Sequence, residues 1–535
     1  MAANRPGHVS SVRQGRNEHW RLGVKVRVDP SAKRVYRYLR LCVIRVARAL
    51  KPSIRAARRV PGHPRWRFTH RLPLQEPLLA KVPKCQQLFA LMCVRLEMRP
   101  NNIIVLRTLL GWGLFALLLL EGCGGGSKAT PPSTTPPSTT PTPVASSSCT
   151  TPPVTITHTA AANSPQLVVL DKVTYPNAVC NDGTAGAYVL RSGAGAAANR
   201  WIISLQGGGE CFDQATCAAR SSMMPTLVST ASYQANPSTA FGQSGLLGST
   251  PDDNPDFYDA SVVQVLYCSS DDWSGNKTSA ATYDPNDPTT WNWQGRAILN
   301  AVLADLTANH GFSSATEVML TGQSAGGVGV FANANPVAKL IPPSARYVAY
   351  SDAAFPDGGQ DYSASGSAPN YTSSATPNQI TKRILGLPLW NGSGDPACSA
   401  ASASDPASQI LCYSGQTLLA PSTGTINLPM LVSVSEEDTN QLGTAGFPAS
   451  ATKGGTLTAS QAGYLSYFAS NMRTTTSSTN ANVSLFVPKI FVHVEATDPT
   501  YYNVPETFPN GTISLQQEVG AWYKAPCSVQ RNIAN

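Results

Sequence analysis

The chain has 535 residues, 42% hydrophobic and only 13% charged, which is enough for one large domain or two ordinary ones. Its net charge of +9 suggests a nucleic-acid binder, but the charges are segregated: 24 of the 40 Lys and Arg and 5 of the 31 Asp and Glu precede Cys123, giving +19 there and 16 − 26 = −10 beyond it. The mildly acidic remainder has no basic stripe for phosphates, which excludes nucleic acid as its partner.

Residues 1–97 are rich in arginine, as in RVYRYLRLCVIRVARALKPSIRAARRV, with little acid to balance them. They read as a basic segment and as a possible extension of the gene ahead of a true start at Met98. From Met98, two arginines precede an apolar run over 109–120 that is too short for a comfortable membrane span and suits a secretory signal. The run ends in Leu120-Glu121-Gly122-Cys123, which resembles a bacterial lipoprotein signal over 98–122 with Cys123 as the lipid-bearing mature N-terminus. An uncleaved membrane anchor is the other reading. Residues 123–152 are dominated by Pro, Thr and Ser and form a spacer that packs no core. Export makes the eight cysteines after Cys123 candidates for disulfides. A zinc site is weakly supported, because no CxxC pair occurs and only His158, His310 and His493 remain downstream.

The globular part begins near residue 153. RWIISLQGGG over 200–209 and ASVVQVLYC over 260–268 are buried-strand patterns. Over 295–311, Ile298, Leu299, Val302, Leu303 and Leu306 share one helical face before a glycine stop. Residues 316–322 form a strand and AGGVGVFANANPVAKL a helix, followed by strands at 345–352, 428–438 and 488–498, the last carrying His493. Strands alternating with helices predict an α/β fold with a mostly parallel sheet flanked by helices. Ligands on such sheets gather at the carboxyl ends of the strands.

Gly322-Gln323-Ser324-Ala325-Gly326 fits the G-x-S-x-G turn that presents a nucleophilic serine between a strand and a helix. The serine needs a base, and elimination selects His493: His158 lies by the spacer and His310 at a helix end. The acid that orients the imidazole lies between them, at Asp352 or in the cluster Glu436-Glu437-Asp438, and the residues alone leave this choice open. The glycines of QGGGEC and the N–H of Ala325 are the natural oxyanion donors.

LQGGGECFDQATCAAR, NPDFYDASVVQVLYCSSDDWSG, GRAILNAVLADL, LTGQSAGGVGVFAN and YSDAAF resemble successive blocks of the Notum and pectin acetylesterase family, in order over 200–360. Weaker matches follow at SVSEEDTNQL and FVHVEATD. The resemblance implies an α/β-hydrolase-type serine esterase, needing no metal or cofactor, with Ser324 as nucleophile, Asp438 as acid and His493 as base. It implies Gly208, Gly209 and Ala325 as oxyanion donors, and the pairs Cys211–Cys217 and Cys180–Cys268. Cys398–Cys412 and Cys149–Cys527 are the pairs left over. The family usually has Trp where Glu210 stands, and a carboxylate there opposes an oxyanion unless it points away. The expected activity is deacetylation of a pectin-like polysaccharide or cleavage of a small acyl ester, by an exported enzyme anchored in the cell envelope through Cys123. A surface protein that binds glycan in the same cleft without catalysis is the alternative.

Overall fold

The computed structural model describes residues 149–535 except 159–162, 241–243, 278–280, 283–289, 357–358, 363–377, 404 and 454–455. In the separate N-terminal unit it describes only the antiparallel pair Val94–Met98 and Ile104–Thr108. The apolar run 109–120, Cys123 and the spacer to residue 148 lie outside the described residues, as do residues 1–93.

Nine strands form the main sheet: β1 (Gln166–Val169), β2 (Ala187–Arg191), β3 (Arg200–Leu205), β4 (Ser261–Val265), β5 (Glu317–Gln323), β6 (Arg346–Asp352), β7 (Met430–Ser433), β8 (Val483–Val487) and β9 (Arg531–Ile533). Their order is β9-β8-β7-β6-β5-β3-β4-β2-β1. Strands β9 to β4 in that order run parallel, and β2 and β1 add antiparallel at one edge. Seven helices matter below: α1 (Gln214–Met223), α2 (Gly295–Asn309), α3 (Ala325–Ala338), α4 (Asn378–Trp390), α5 (Thr439–Thr444), α6 (Ala459–Ser477) and α7 (Leu515–Lys524).

The central strands are buried on both faces, and their alternating side chains divide between two cores. Ile203, Val263, Leu320, Val432 and Leu485 pack on one face against Leu299 of α2, Phe331 of α3 and Phe468 of α6. Ile202, Val262, Met319, Leu431 and Phe486 pack on the other against Val519 and Trp522 of α7. The predicted α/β architecture is therefore present, with an antiparallel edge in addition.

One predicted strand is displaced. Strand β8 occupies 483–487, and His493 lies in the loop that follows, not on a strand over 488–498. Pro488 has no N–H to continue the ladder, and its carbonyl accepts the N–H of Glu436. The loop is thereby tied to the segment that follows β7. Register aligns the carboxyl ends of the middle strands: Gln323 faces Asp352, Asp352 faces Ser433, and Ser433 faces Phe486.

Candidate active site

Ser324 sits where β5 turns into α3, with φ 55° and ψ −124°. A non-glycine residue at positive φ costs on the order of 1–3 kcal/mol and persists only where its surroundings enforce it. Here the enforcement is steric and polar. A Cβ on Gly326 would stand 1.9 Å from the carbonyl oxygen of Leu205, so strand β3 and the first turn of α3 meet only because that residue is glycine. The N–H of Ser324 donates to the carbonyl of Asp352 at 3.0 Å.

The structure brings Ser324, His493 and Asp438 together. Nε2 of His493 lies 2.8 Å from Oγ of Ser324, and its Nδ1 lies 3.0 and 2.9 Å from the two carboxylate oxygens of Asp438. An ionised carboxylate only accepts hydrogen bonds, so Nδ1 carries the proton and Nε2 is free to accept one from the serine. Asp438 is fully buried and also caps α5, with Oδ1 accepting from the N–H groups of Asn440 and Gln441 at 2.9 Å each. Burial disfavours the charged imidazole, but the charge and hydrogen bond of Asp438, then the charge of Asp352, outweigh it and raise the His493 pKa above 6.5.

Geometry separates the acids that the sequence left open. Glu436 bonds Arg473 at 2.6 Å, and Glu437 makes a backbone bond to Ser435. Asp352 does not touch the imidazole but ties its loop down. Its Oδ2 accepts from the N–H groups of Glu495 and Ala496 at 3.1 and 3.0 Å, and its Oδ1 from the hydroxyl of Ser433 at 2.5 Å. Asp352 thus bonds the segments carrying all three members of the constellation. His158 bonds Asp259 and His310 pairs with Asp305, both away from Ser324.

A cavity of about 60 Å³ opens at the serine, lined among others by Gly209, Glu210, Asp272, Ser324, Val328, Arg383 and His493, with Ala325 also on its wall. Gly208 does not line it: at φ +143° a Cβ there would press on Leu227 at 2.9 Å. The loop is held from behind. Arg220 of α1 donates from Nη1 to the carbonyl of Gly208 at 2.7 Å and from Nη2 to that of Gly209 at 3.1 Å, and the indole N–H of Trp273 donates to the carbonyl of Gln206 at 3.1 Å. The residue pattern gives Arg220 no role: it lies in the last turn of α1 and bonds backbone carbonyls, although it ends the block LQGGGECFDQATCAAR that resembles the family.

Glu210 faces this cavity, in the field of a second group. Nε of Arg383 donates to Oδ2 of the buried Asp272 at 3.1 Å. Burial and then the like charge of Glu210 push Asp272 up to about 7, against the pull of Arg383. The family Trp is thus replaced by a carboxylate whose charge is partly offset by a guanidinium across the cavity.

Four disulfides join Cys149 to Cys527, Cys180 to Cys268, Cys211 to Cys217 and Cys398 to Cys412. Among the described residues no helix is long and apolar enough to cross a membrane, and no group of three or more His, Cys, Asp or Glu is placed to hold a metal ion.

Residues 158–534 match the family model described as pectinacetylesterase. The chain is 38% identical over 162 residues to palmitoleoyl-protein carboxylesterase notum1a of Danio rerio, which is 30% of each chain. It is 33% identical over 201 residues to pectin acetylesterase 11 of Arabidopsis thaliana, covering 37% of this chain and 48% of that one. Each of these alignments spans less than half of the relative's own length. Among solved structures it is similar to the Wnt deacylase Notum from Drosophila, with a TM-score of 0.57 and 24% identity over 70% of this chain and 97% of that one, which establishes the shared fold.

Proposed function

Because this chain belongs to the pectinacetylesterase family, we propose that it is a carboxylic ester hydrolase working through Ser324, His493 and Asp438. The observation that carries the reading is the continuous chain of hydrogen bonds from the Ser324 hydroxyl through the imidazole to the buried carboxylate. Ser324 Oγ attacks the ester carbonyl while its proton passes to Nε2 of His493. The imidazolium, stabilised by Asp438, returns that proton to the departing alcohol. Water, deprotonated by the same imidazole, then frees the acyl group from the serine.

A trans peptide points its N–H opposite to its C=O. The carbonyls of Gly208 and Gly209 are bound to Arg220 behind the loop. The N–H groups of Gly209 and Glu210 therefore face the opposite way, and both residues line the cavity. With the N–H of Ala325 at the start of α3 they receive the oxyanion. This assigns the second loop donor to Glu210 in place of Gly208.

The substrate is the ester of a small acyl group on a hydroxyl-rich carrier such as an acetylated polysaccharide. The charged walls of the cavity, Glu210, Asp272, Lys382 and Arg383, support this over a fatty acyl chain, which would desolvate those charges without replacing the water around them. The four disulfides support export to an oxidising compartment. Lipid attachment at Cys123 belongs to the same proposal, and the mass of the mature N-terminal peptide tests it.

A fluorophosphonate probe should modify the wild type at Ser324 and leave Ser324→Ala unlabelled. Ester hydrolysis in that variant should fall by about 10³-fold or more with the fold intact. A variant as active as the wild type would end the proposal, and a wild type that neither takes the probe nor hydrolyses esters would leave a glycan-binding role in the cleft. p-Nitrophenyl esters of rising chain length, run beside acetylated xylan and pectin, test the substrate class. Preference for long chains would contradict it.

A further inference from the structure

Arg220 is 3% exposed, yet no carboxylate among the described residues lies within ion-pairing distance of it. Its Nε is buried without a partner among the described residues. Among the described residues its guanidinium hydrogen bonds go only to the carbonyls of Gly208 and Gly209, and its guanidinium carbon lies 5.5 Å from the ring centre of Tyr267. Tyr267 is itself fully buried and stacks on Trp273 at 5.0 Å. A buried cation without an anion is costly. The two carbonyls and the ring offset part of that cost, and an anion that appears only during the reaction would offset more.

The two carbonyls belong to the peptides whose N–H groups are those of Gly209 and Glu210. A cation hydrogen-bonded to the C=O of a peptide draws electron density from its N–H and strengthens it as a donor. The bidentate geometry also fixes both peptide planes at once, which one ammonium could not do. Cys211–Cys217 joins the loop that follows the glycines to α1, the helix that carries Arg220, so the guanidinium and the peptides it holds are linked covalently as well.

We propose that Arg220 is the positioning residue of the oxyanion site: it orients and polarises the peptides of Gly209 and Glu210, and its charge favours the tetrahedral intermediate over the bound ester. The inference rests on the serine-esterase reading. It assigns to Arg220 a part in the chemical step and none in ground-state binding.

The test uses the full chain with p-nitrophenyl acetate in stopped flow, and trifluoroacetone, which adds to the serine as a hemiketal oxyanion. Arg220→Gln and Arg220→Lys should lower the acylation rate constant by about 10- to 100-fold, Lys less than Gln, with Ks changed by less than about 3-fold. Affinity for trifluoroacetone should fall by a similar factor, and the acid limb of the pH profile should stay in place, because Arg220 does not touch His493. Folded variants with unchanged acylation and unchanged trifluoroacetone affinity would overturn the proposal. So would a rise in Ks alone. Should neither variant fold, the wild type carries the test: the guanidinium nitrogen resonances of Arg220 should move when trifluoroacetone binds, and resonances that stay still would refute it. Failure of the esterase reading shows separately, as hydrolysis that survives Ser324→Ala.

Discussion

Replacing Asp438 by Asn should disable the enzyme while leaving it folded, and the hydrogen bonds of Asp438 explain why. Oδ1 of Asp438 is held by two backbone donors, Asn440 and Gln441, at 2.9 Å each. An asparagine must keep its oxygen there, because its NH₂ cannot accept from those N–H groups. The NH₂ is therefore forced into the place of Oδ2, 2.9 Å from Nδ1 of His493. Nδ1 then meets the amide NH₂ at 2.9 Å and the retained oxygen, already shared with two backbone N–H groups, at 3.0 Å. The NH₂ contact favours the tautomer with its proton on Nε2, the nitrogen that has to take the proton of Ser324. The cap on α5 survives, so the stability loss should stay near or below about 1 kcal/mol. The rate loss should approach about 10⁴-fold, as for the same change in other Ser–His–Asp enzymes, or about 5.5 kcal/mol of barrier. Asp438→Ala should lose activity as well and melt below the Asn variant, since it also removes the cap, worth about 1 kcal/mol of folding stability. Hydrolysis of p-nitrophenyl acetate and thermal melting of the two variants check both parts. An Asn variant within tenfold of the wild-type kcat would show that the carboxylate does not set the tautomer.

The raised pKa of His493 places the acid limb of kcat/KM above pH 6.5, because the base acts only when neutral and activity is lost as pH falls through that pKa. In the residual activity of Asp438→Asn the limb should move down, since burial then acts without its main opponent. Gly326→Ala should cost about 3 kcal/mol or more and abolish probe labelling, because its Cβ would stand 1.9 Å from the Leu205 carbonyl oxygen; a urea midpoint equal to the wild type would contradict the steric account. Replacing Cys180 and Cys268 together by Ser opens a loop with 88 residues of separation and should lower stability by about 4 kcal/mol, read from chemical denaturation under non-reducing conditions.

Whatever depends on near neighbours along the chain is legible in the amino-acid order alone. The glycines around Ser324 mark the sharp turn because steric exclusion between a strand and the next helix acts over a few residues. The glycines after β3 mark a loop that bares its amides, and elimination among three downstream histidines selects His493. Alternating apolar runs and helical faces disclose the parallel sheet, since burial on both faces leaves a periodic trace. The end of β8 at Pro488 is masked because apolar residues beyond it continue the strand pattern, while the missing N–H decides where the ladder stops. The choice of Asp438 over Asp352, Glu436 and Glu437 needs either the family pattern or the contacts themselves. The loop-tying role of Asp352, the Asp272–Arg383 pair facing Glu210, and the grip of Arg220 on two glycine carbonyls leave no local mark. Each joins segments far apart in the chain, and only the register of the sheet and the packing of α1 and α4 against its carboxyl end set which side chain reaches which atom.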